Sequence, residues 1–275
     1  MTSPQDRIQL VKSQSDRLNK YLDALSKNDW SSPTACEAWQ VRDLVAHMTI
    51  GSEAFAGNIG RGLENDSSPS EGMPPPGSAD MAARMVISAQ RAITVRETLG
   101  EQLLTAFSAS CDDLDRVLAG VGPQDWETLC FHAAAVIPVR TYVNLRLAEL
   151  TVHEWDIRSR LERSFHLPEE YLPATMDAIS AFIVGILFNP GSKLGTTVRY
   201  RFELVGSLPS KHDIVVEGGT ARMQPAGTAA PAVTFRCDTE TFVLLAYERI
   251  TLAAALADGR IVLEGDRELA DQFAE

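Results

Sequence analysis

Apolar residues recur near the helical period from Asp6 to Ser26, at Ile8, Leu10, Val11, Leu18, Tyr21, Leu22 and Leu25. That spacing predicts a first helix with one buried face. Trp30 and a polar turn, Ser31-Ser32-Pro33-Thr34, separate it from a second helix. The second begins at Gln40 or Val41 and runs through Leu44, Val45, Met48 and Phe55 toward Ile59. Asn65 to Ser78 is rich in Pro, Gly and Ser and reads as a loop, because Pro and Gly stop helices and little in it can be buried. A long helical pattern follows from Ala79 to Leu118, bent near Gly100 and stopped by Gly120-Val121-Gly122-Pro123. A fourth helix is predicted over Val139–Leu161 and a fifth over Pro168–Phe188.

After Asn189-Pro190-Gly191 the period changes from helical to twofold. Thr197–Val205, Asp213–Glu217 and Val233–Cys237 alternate as half-buried strands do, and Ile261–Leu263 reads as a further strand. Glu240–Tyr247, Thr251–Ala257 and Glu268–Ala274 are helical in pattern. Helices first and a mixed segment second argue for an α+β chain of two domains. The expected division is a helical bundle over 1–190 and a smaller mixed α/β domain over 191–275.

Composition narrows the classes. Of 275 residues, 45% are apolar and 23% charged, so a packed core can form. The net charge of −12 is scattered along the chain. Such a field repels phosphate backbones and anionic lipid, and predicts neither nucleic-acid nor membrane partners. The longest apolar stretch, Ala178–Phe188, is about half of a bilayer crossing. MTSPQDRIQL lacks a basic start and an apolar signal core, and Cys36, Cys111, Cys130 and Cys237 are widely spaced. Both features point to a reduced, cytoplasmic setting without a disulfide framework or zinc–thiolate motif.

The candidate chemistry sits on the fourth helix. Glu149 and His153 are four residues apart, which stacks them one turn apart on one face and lets both reach one ion. The sequence is not HExxH, so a third ligand must come from another helix. His47, beside Leu44, Val45 and Met48 on an inward face, is the best candidate. Two imidazoles and a carboxylate suit zinc or another first-row divalent ion and leave a coordination position open. Spacing alone equally describes a surface Glu–His pair and a hydrogen-bonded core histidine. His132, His166 and His212 have no partner at ligand spacing.

Two runs carry a family resemblance. Trp30-Ser31-Ser32-Pro33-Thr34-Ala35-Cys36-Glu37-Ala38-Trp39-Gln40-Val41-Arg42-Asp43-Leu44-Val45-Ala46-His47-Met48 resembles the signature WxxPTxCxGWxVRDLxxH of the mycothiol-dependent maleylpyruvate isomerase family. Arg146-Leu147-Ala148-Glu149-Leu150-Thr151-Val152-His153-Glu154-Trp155-Asp156-Ile157 resembles its second signature, RxxExxxHxWDI. The resemblance implies a DinB-like antiparallel four-helix bundle holding one divalent metal, usually zinc, on His47, Glu149 and His153. Gly259 to Asp266 and the helix after them resemble the end of the sterol-carrier-like domain often appended to such bundles. Ala38 stands where the family usually has Gly, and the Gly-Asp-plus-helix ending departs from the isomerase itself.

What the resemblance implies for function is a metal- and thiol-dependent isomerase or transferase acting on a small molecule. A thiol such as mycothiol would add, as thiolate, to the cis double bond of maleylpyruvate, and rotation and elimination would give the trans product. Transfer to an alkyl or epoxide electrophile, hydrolysis by activated water, and a non-catalytic binding module are the alternatives. Anionic substrates call for cationic clamps, and the candidate catalytic residues are Arg146 and Arg260. The competing roles are a salt bridge from Arg146 to Glu149 or Asp156, and a plain surface arginine at 260. Asp156, three residues after His153, is placed to accept its other ring N–H. Trp39, Tyr142 and Trp155 read as core, and Cys36 as a structural thiol. The expected assembly is a monomer or homodimer.

Overall fold

The computed structural model describes residues 3–36, 39–78, 81–188 and 196–273, and of 81–85 the backbone alone. Ala38, the Asn189-Pro190-Gly191 turn, and the expected helix ends at Ala79 and Ala274 lie outside these residues. The chain divides into two compact units, Met1–His166 and Leu167–Glu275.

In the first unit, α1 (Pro4–Asp23) opens on a capping box, in which Ser3 Oγ accepts the Asp6 N–H and the Asp6 carboxylate accepts the Ser3 N–H. Its buried positions, Val11, Gln14, Ser15, Leu18 and Leu22, form one stripe. α2 (Val41–Leu63) starts similarly: the Asp43 carboxylate accepts the Gln40 N–H at 2.9 Å. The expected long third helix is two helices, α3 (Met81–Leu99) and α4 (Leu103–Ala119). Gly100, at φ +51°, divides them, a backbone state that favours glycine. α5 (Val139–Leu161) then runs through the middle of the unit with residues buried on every side. α2 packs on α3, α4 and α5, while α1 packs on α4 and α5.

A short hairpin, β1 (Leu129–Phe131) with β2 (Val136–Pro138), precedes α5. The sequence pattern does not predict it, because three-residue strands are too short to establish a period. It lies against α2, where a side chain at Gly62 would collide with Cys130 Sγ. Glycine is what allows the strand to sit on the helix.

The second unit begins with α6 (Leu172–Ala178) and its π-helical continuation, Ile179–Leu187. The helical pattern alone places this segment in the bundle, with the boundary at 190. In the structure it packs on a strand and on the helix Thr239–Ala246 of the second unit. Glu169–Leu187 is long and apolar enough by composition to cross a membrane, with mean hydropathy 1.3. Ile179, Phe182 and Val184 are buried within the unit.

Five strands form the sheet: β3 (Val198–Val205), β4 (Ser210–Glu217), β5 (Thr220–Pro225), β6 (Val233–Asp238) and β7 (Val262–Gly265). Their order is β5-β4-β3-β6-β7, with β3–β6 parallel and the other neighbours antiparallel. β5 was not anticipated: this edge strand alternates, with Ala221 and Met223 between Thr220, Arg222 and Gln224, but it carries no Val, Ile or aromatic residue to mark it as a strand. β4 starts before the predicted strand at Asp213 and so includes His212. Val198, Tyr200, Phe202 and Leu204 of β3 point inward, and Phe202 meets Phe235, Phe242 and Phe273. Among the described residues the unit has three further helices: α7 (Thr239–Ala246), α8 (Leu252–Ala257) and α9 (Arg267–Phe273).

Asp213 is wholly buried in this sheet. It accepts hydrogen bonds from Arg199 Nη1 at 2.8 Å, from Arg201 Nε at 2.8 Å and from the Gly227 N–H at 3.2 Å. Burial pushes its carboxyl pKa up, but Arg201, Gly227 and Arg199 outweigh that and hold it below the ordinary value. Replacing Asp213 by Asn leaves two guanidinium groups without their counter-charge. We expect a loss of about 3 kcal/mol, measured as a lower urea midpoint with an unchanged slope. Asp213 stabilises fully above the ordinary aspartate pKa of about 3.9. That contribution is lost as pH falls through the lowered folded value, so wild-type and variant stabilities should converge in acid.

Candidate metal centre

α2 and α5 face each other, and their register sets the site. His47 lies in the second turn of α2, with Glu149 and His153 one turn apart on α5. His47 Nε2 is 3.5 Å from Glu149 Oε1. The rings of His47 and His153 meet edge to face, with centroids 5.2 Å apart. One donor atom from each of the three residues lies within 4.8 Å of the others. Tetrahedral ligands about 2.1 Å from an ion stand roughly 3.4 Å apart, so these residues need only small adjustments to hold one. The side chains of His47, Glu149 and His153 are 24%, 16% and 12% exposed, open enough for a further ligand to reach them.

Neighbouring groups orient each donor. His153 Nδ1 is 2.8 Å from Asp156 Oδ2, which leaves Nε2 for an ion. His47 Nδ1 is 3.4 Å from Ser88 Oγ of α3, and the Trp39 ring lies 5.0 Å from the His47 ring. Gly51, one turn after His47, makes room for the carboxylate: a Cβ there would stand 2.7 Å from Glu149 Oε1. Burial raises the Glu149 pKa, yet Arg146, His47 and His153 together hold it below the ordinary carboxylate range. Glu149 is thus an anion at neutral pH, as a ligand must be.

Arg146 differs from its expected role as a substrate clamp. Its side chain is 1% exposed, and Nη1 donates to Glu149 Oε2 at 3.0 Å and to the Met48 carbonyl at 3.4 Å. Nη2 donates to Ser52 Oγ. A guanidinium so enclosed positions Glu149 and is shut off from a substrate by its burial. Arg260 lies in the second unit, where Nε donates to Asp258 Oδ2 at 2.8 Å within an exposed turn.

Cys36 contributes more than a sequence reading assigns to it. Its Sγ donates to Asp156 Oδ2 at 3.1 Å, and the neighbouring Ala35 N–H donates to the Asp156 carbonyl at 2.8 Å. Asp156 therefore ties the loop of the first signature to the histidine of the second. Cys36, His153 and Asp156 also form a group whose donor atoms lie within 4.8 Å of one another. No local pattern signals this contact. Gly51 was detectable in principle, since it lies four residues from His47 on the same helical face. Tyr142 is buried, as expected, with its ring 5.1 Å from Phe55.

The bundle, the hairpin and the two-histidine, one-carboxylate cluster define a helical protein with a candidate metal centre, followed by a mixed sheet domain. A family model described as the mycothiol maleylpyruvate isomerase N-terminal domain matches residues 11–158. A second, described as the SCP-2 sterol transfer family, matches residues 194–275. The chain belongs to the mycothiol maleylpyruvate isomerase N-terminal domain family and carries an SCP-2 domain after it. Among solved structures, the mycothiol-dependent maleylpyruvate isomerase superposes with a TM-score of 0.58 at 15% identity over 90% of each chain. Its histidine-to-alanine mutant gives 0.58 at 14% identity over 95% of this chain and 93% of that one. At such identities the likeness is one of fold. No curated protein matches the chain in sequence.

Asp156→Asn should keep the helix but weaken its hold on the His153 ring. We expect divalent-ion affinity to fall about 10- to 100-fold, measured by competition with a chromophoric chelator. Unchanged affinity would remove Asp156 from the centre.

Proposed function

We propose that this chain is an enzyme that holds one divalent ion, best suited to zinc, on His47, Glu149 and His153, and works with a small thiol. The reaction is isomerisation of, or thiol transfer to, a small electrophile, with a mycothiol-like thiol and maleylpyruvate as the models. The observation that carries this reading is the convergence of the three donors, with Arg146, Asp156 and Gly51 arranged around them. Such support has no purpose in a surface Glu–His pair.

When bound, the ion lowers the pKa of a coordinating thiol, so that a thiolate is available at neutral pH. The chain's own residues do the positioning. Arg146 keeps Glu149 ionised and turned toward the histidines. Asp156 fixes the tautomer and plane of His153. Family membership and the isomerase-like fold support thiol chemistry over hydrolysis by activated water. A second reading, a ligand-binding module without turnover, draws on the SCP-2 match over residues 194–275.

Purified protein is expected to contain about one divalent ion per chain, and His153→Ala to lose it. Metal-free protein and an unaffected variant would overturn the centre. Mycothiol at about 100 times its dissociation constant should add about 2.7 kcal/mol of stability to the metal-loaded protein and none after chelation. Indifference to mycothiol, glutathione and bacillithiol alike would refute the thiol enzyme. A chain that binds thiol and electrophile but turns over neither fits the binding module.

A further inference from the structure

The first signature begins at Trp30 and includes Arg42, and neither residue serves the metal centre. Both line a separate cleft of 740 Å³ within the first unit. Its size is that of a small-molecule pocket, about 300 to 1,000 Å³. Five residues of α2 separate Arg42 from His47, about 7.5 Å along the axis and roughly 140° around it. None of the three candidate metal ligands lines the cleft.

The lining pairs an apolar wall with cations in a protein whose net charge is −12. With Glu97 and Glu101 also on the lining, Trp30, Leu103 and Leu104 supply the apolar surface and Lys27, Arg42 and Arg96 the positive charge. Two of these charges are already matched. Arg96 donates to Asp43 at 2.7 Å and to Glu97 at 2.8 Å, while Lys27 stands 4.0 Å from Glu101. Arg42 is different: its Nε donates to Gln40 Oε1 at 2.7 Å, and it pairs with no described carboxylate. Its two terminal nitrogens form a fork of the kind that grips a carboxylate with two parallel bonds.

We propose that this cleft is a second binding site, for a small organic carboxylate with a planar or apolar body. The carboxylate sits on Arg42, and the body lies against Trp30 and the two leucines. Arg42 is in the first turn of α2, where the helix dipole also favours an anion.

The test is titration of the full-length protein with 1-naphthoate, followed by tryptophan fluorescence and calorimetry, with 1-naphthalenemethanol as the neutral control. Saturable binding of naphthoate at one site is expected, at least tenfold tighter than the alcohol, the scale of one charge-assisted hydrogen bond. Arg42→Ala should weaken naphthoate about tenfold or more, and Arg42→Lys by less, since it keeps the charge and loses the fork. Both variants must retain the wild-type thermal transition, and Lys serves as the folded comparison if Ala does not. Binding should survive chelation, which separates this site from the metal centre and makes its failure independent of the enzyme reading. Absence of saturable binding, equal binding of the alcohol, affinity unchanged in Arg42→Ala, or loss of binding on chelation would each overturn the proposal.

Discussion

The Arg146 guanidinium, held against Glu149 inside the bundle, constrains everything around it. A buried cation must be matched, and its removal or isolation costs about 3–5 kcal/mol. Arg146 meets that demand with Glu149, Ser52 and the Met48 carbonyl, so α2 and α5 are tied at one rotation and one axial offset. Once that offset is set, His47 must lie beside Glu149 and His153. The donors of the candidate centre are brought together by an interaction needed whether or not an ion is bound.

A second buried ion pair on α5 repeats the device. Glu154 is fully buried and accepts from Gln14 at 2.6 Å, from Arg17 and from Arg158 at 2.8 Å. The bonds from Gln14 and Arg17 fasten α5 to α1, as Arg146 fastens it to α2, while Arg158 pairs within α5. Ion pairs in a core contribute less to net stability than apolar packing of the same volume. Here they leave the central helix one rotational setting, which two imidazoles and a carboxylate need to converge on a point.

Asp156 extends the same logic to the loop after α1. One carboxylate oxygen serves the His153 ring and the Cys36 thiol, and the backbone carbonyl of the same residue holds Ala35. The two signature stretches are thus one structural object, joined at a single buried side chain. In the second unit Asp213 does comparable work for the sheet, binding Arg199, Arg201 and a loop amide. Both units place a fully desolvated aspartate at the point where segments distant in sequence must meet.

Residue order alone specifies α1, α2 and the main strands, because burial on one face imposes a period. It marks α5 as a long run between Pro138 and the polar stretch after Leu161, although that helix is buried on every side. It also points to three candidate ligands, Glu149 and His153 by their four-residue spacing and His47 by its inward face and the family resemblance, whose donor atoms the fold brings within 4.8 Å of one another. What it did not determine is what depends on packing between elements. The β1–β2 hairpin is too short to show a period, and β5 alternates without the Val, Ile or aromatic residues that mark a strand. The segment after Leu167 has a helical pattern compatible with either unit, and only its contacts with β5 and α7 assign it to the second. Arg146 has the same identity whether it faces a substrate or a carboxylate, and the offset between α2 and α5 decided for the carboxylate. Cys36 and Gly51 gained their roles in the same way, from what the fold set opposite them.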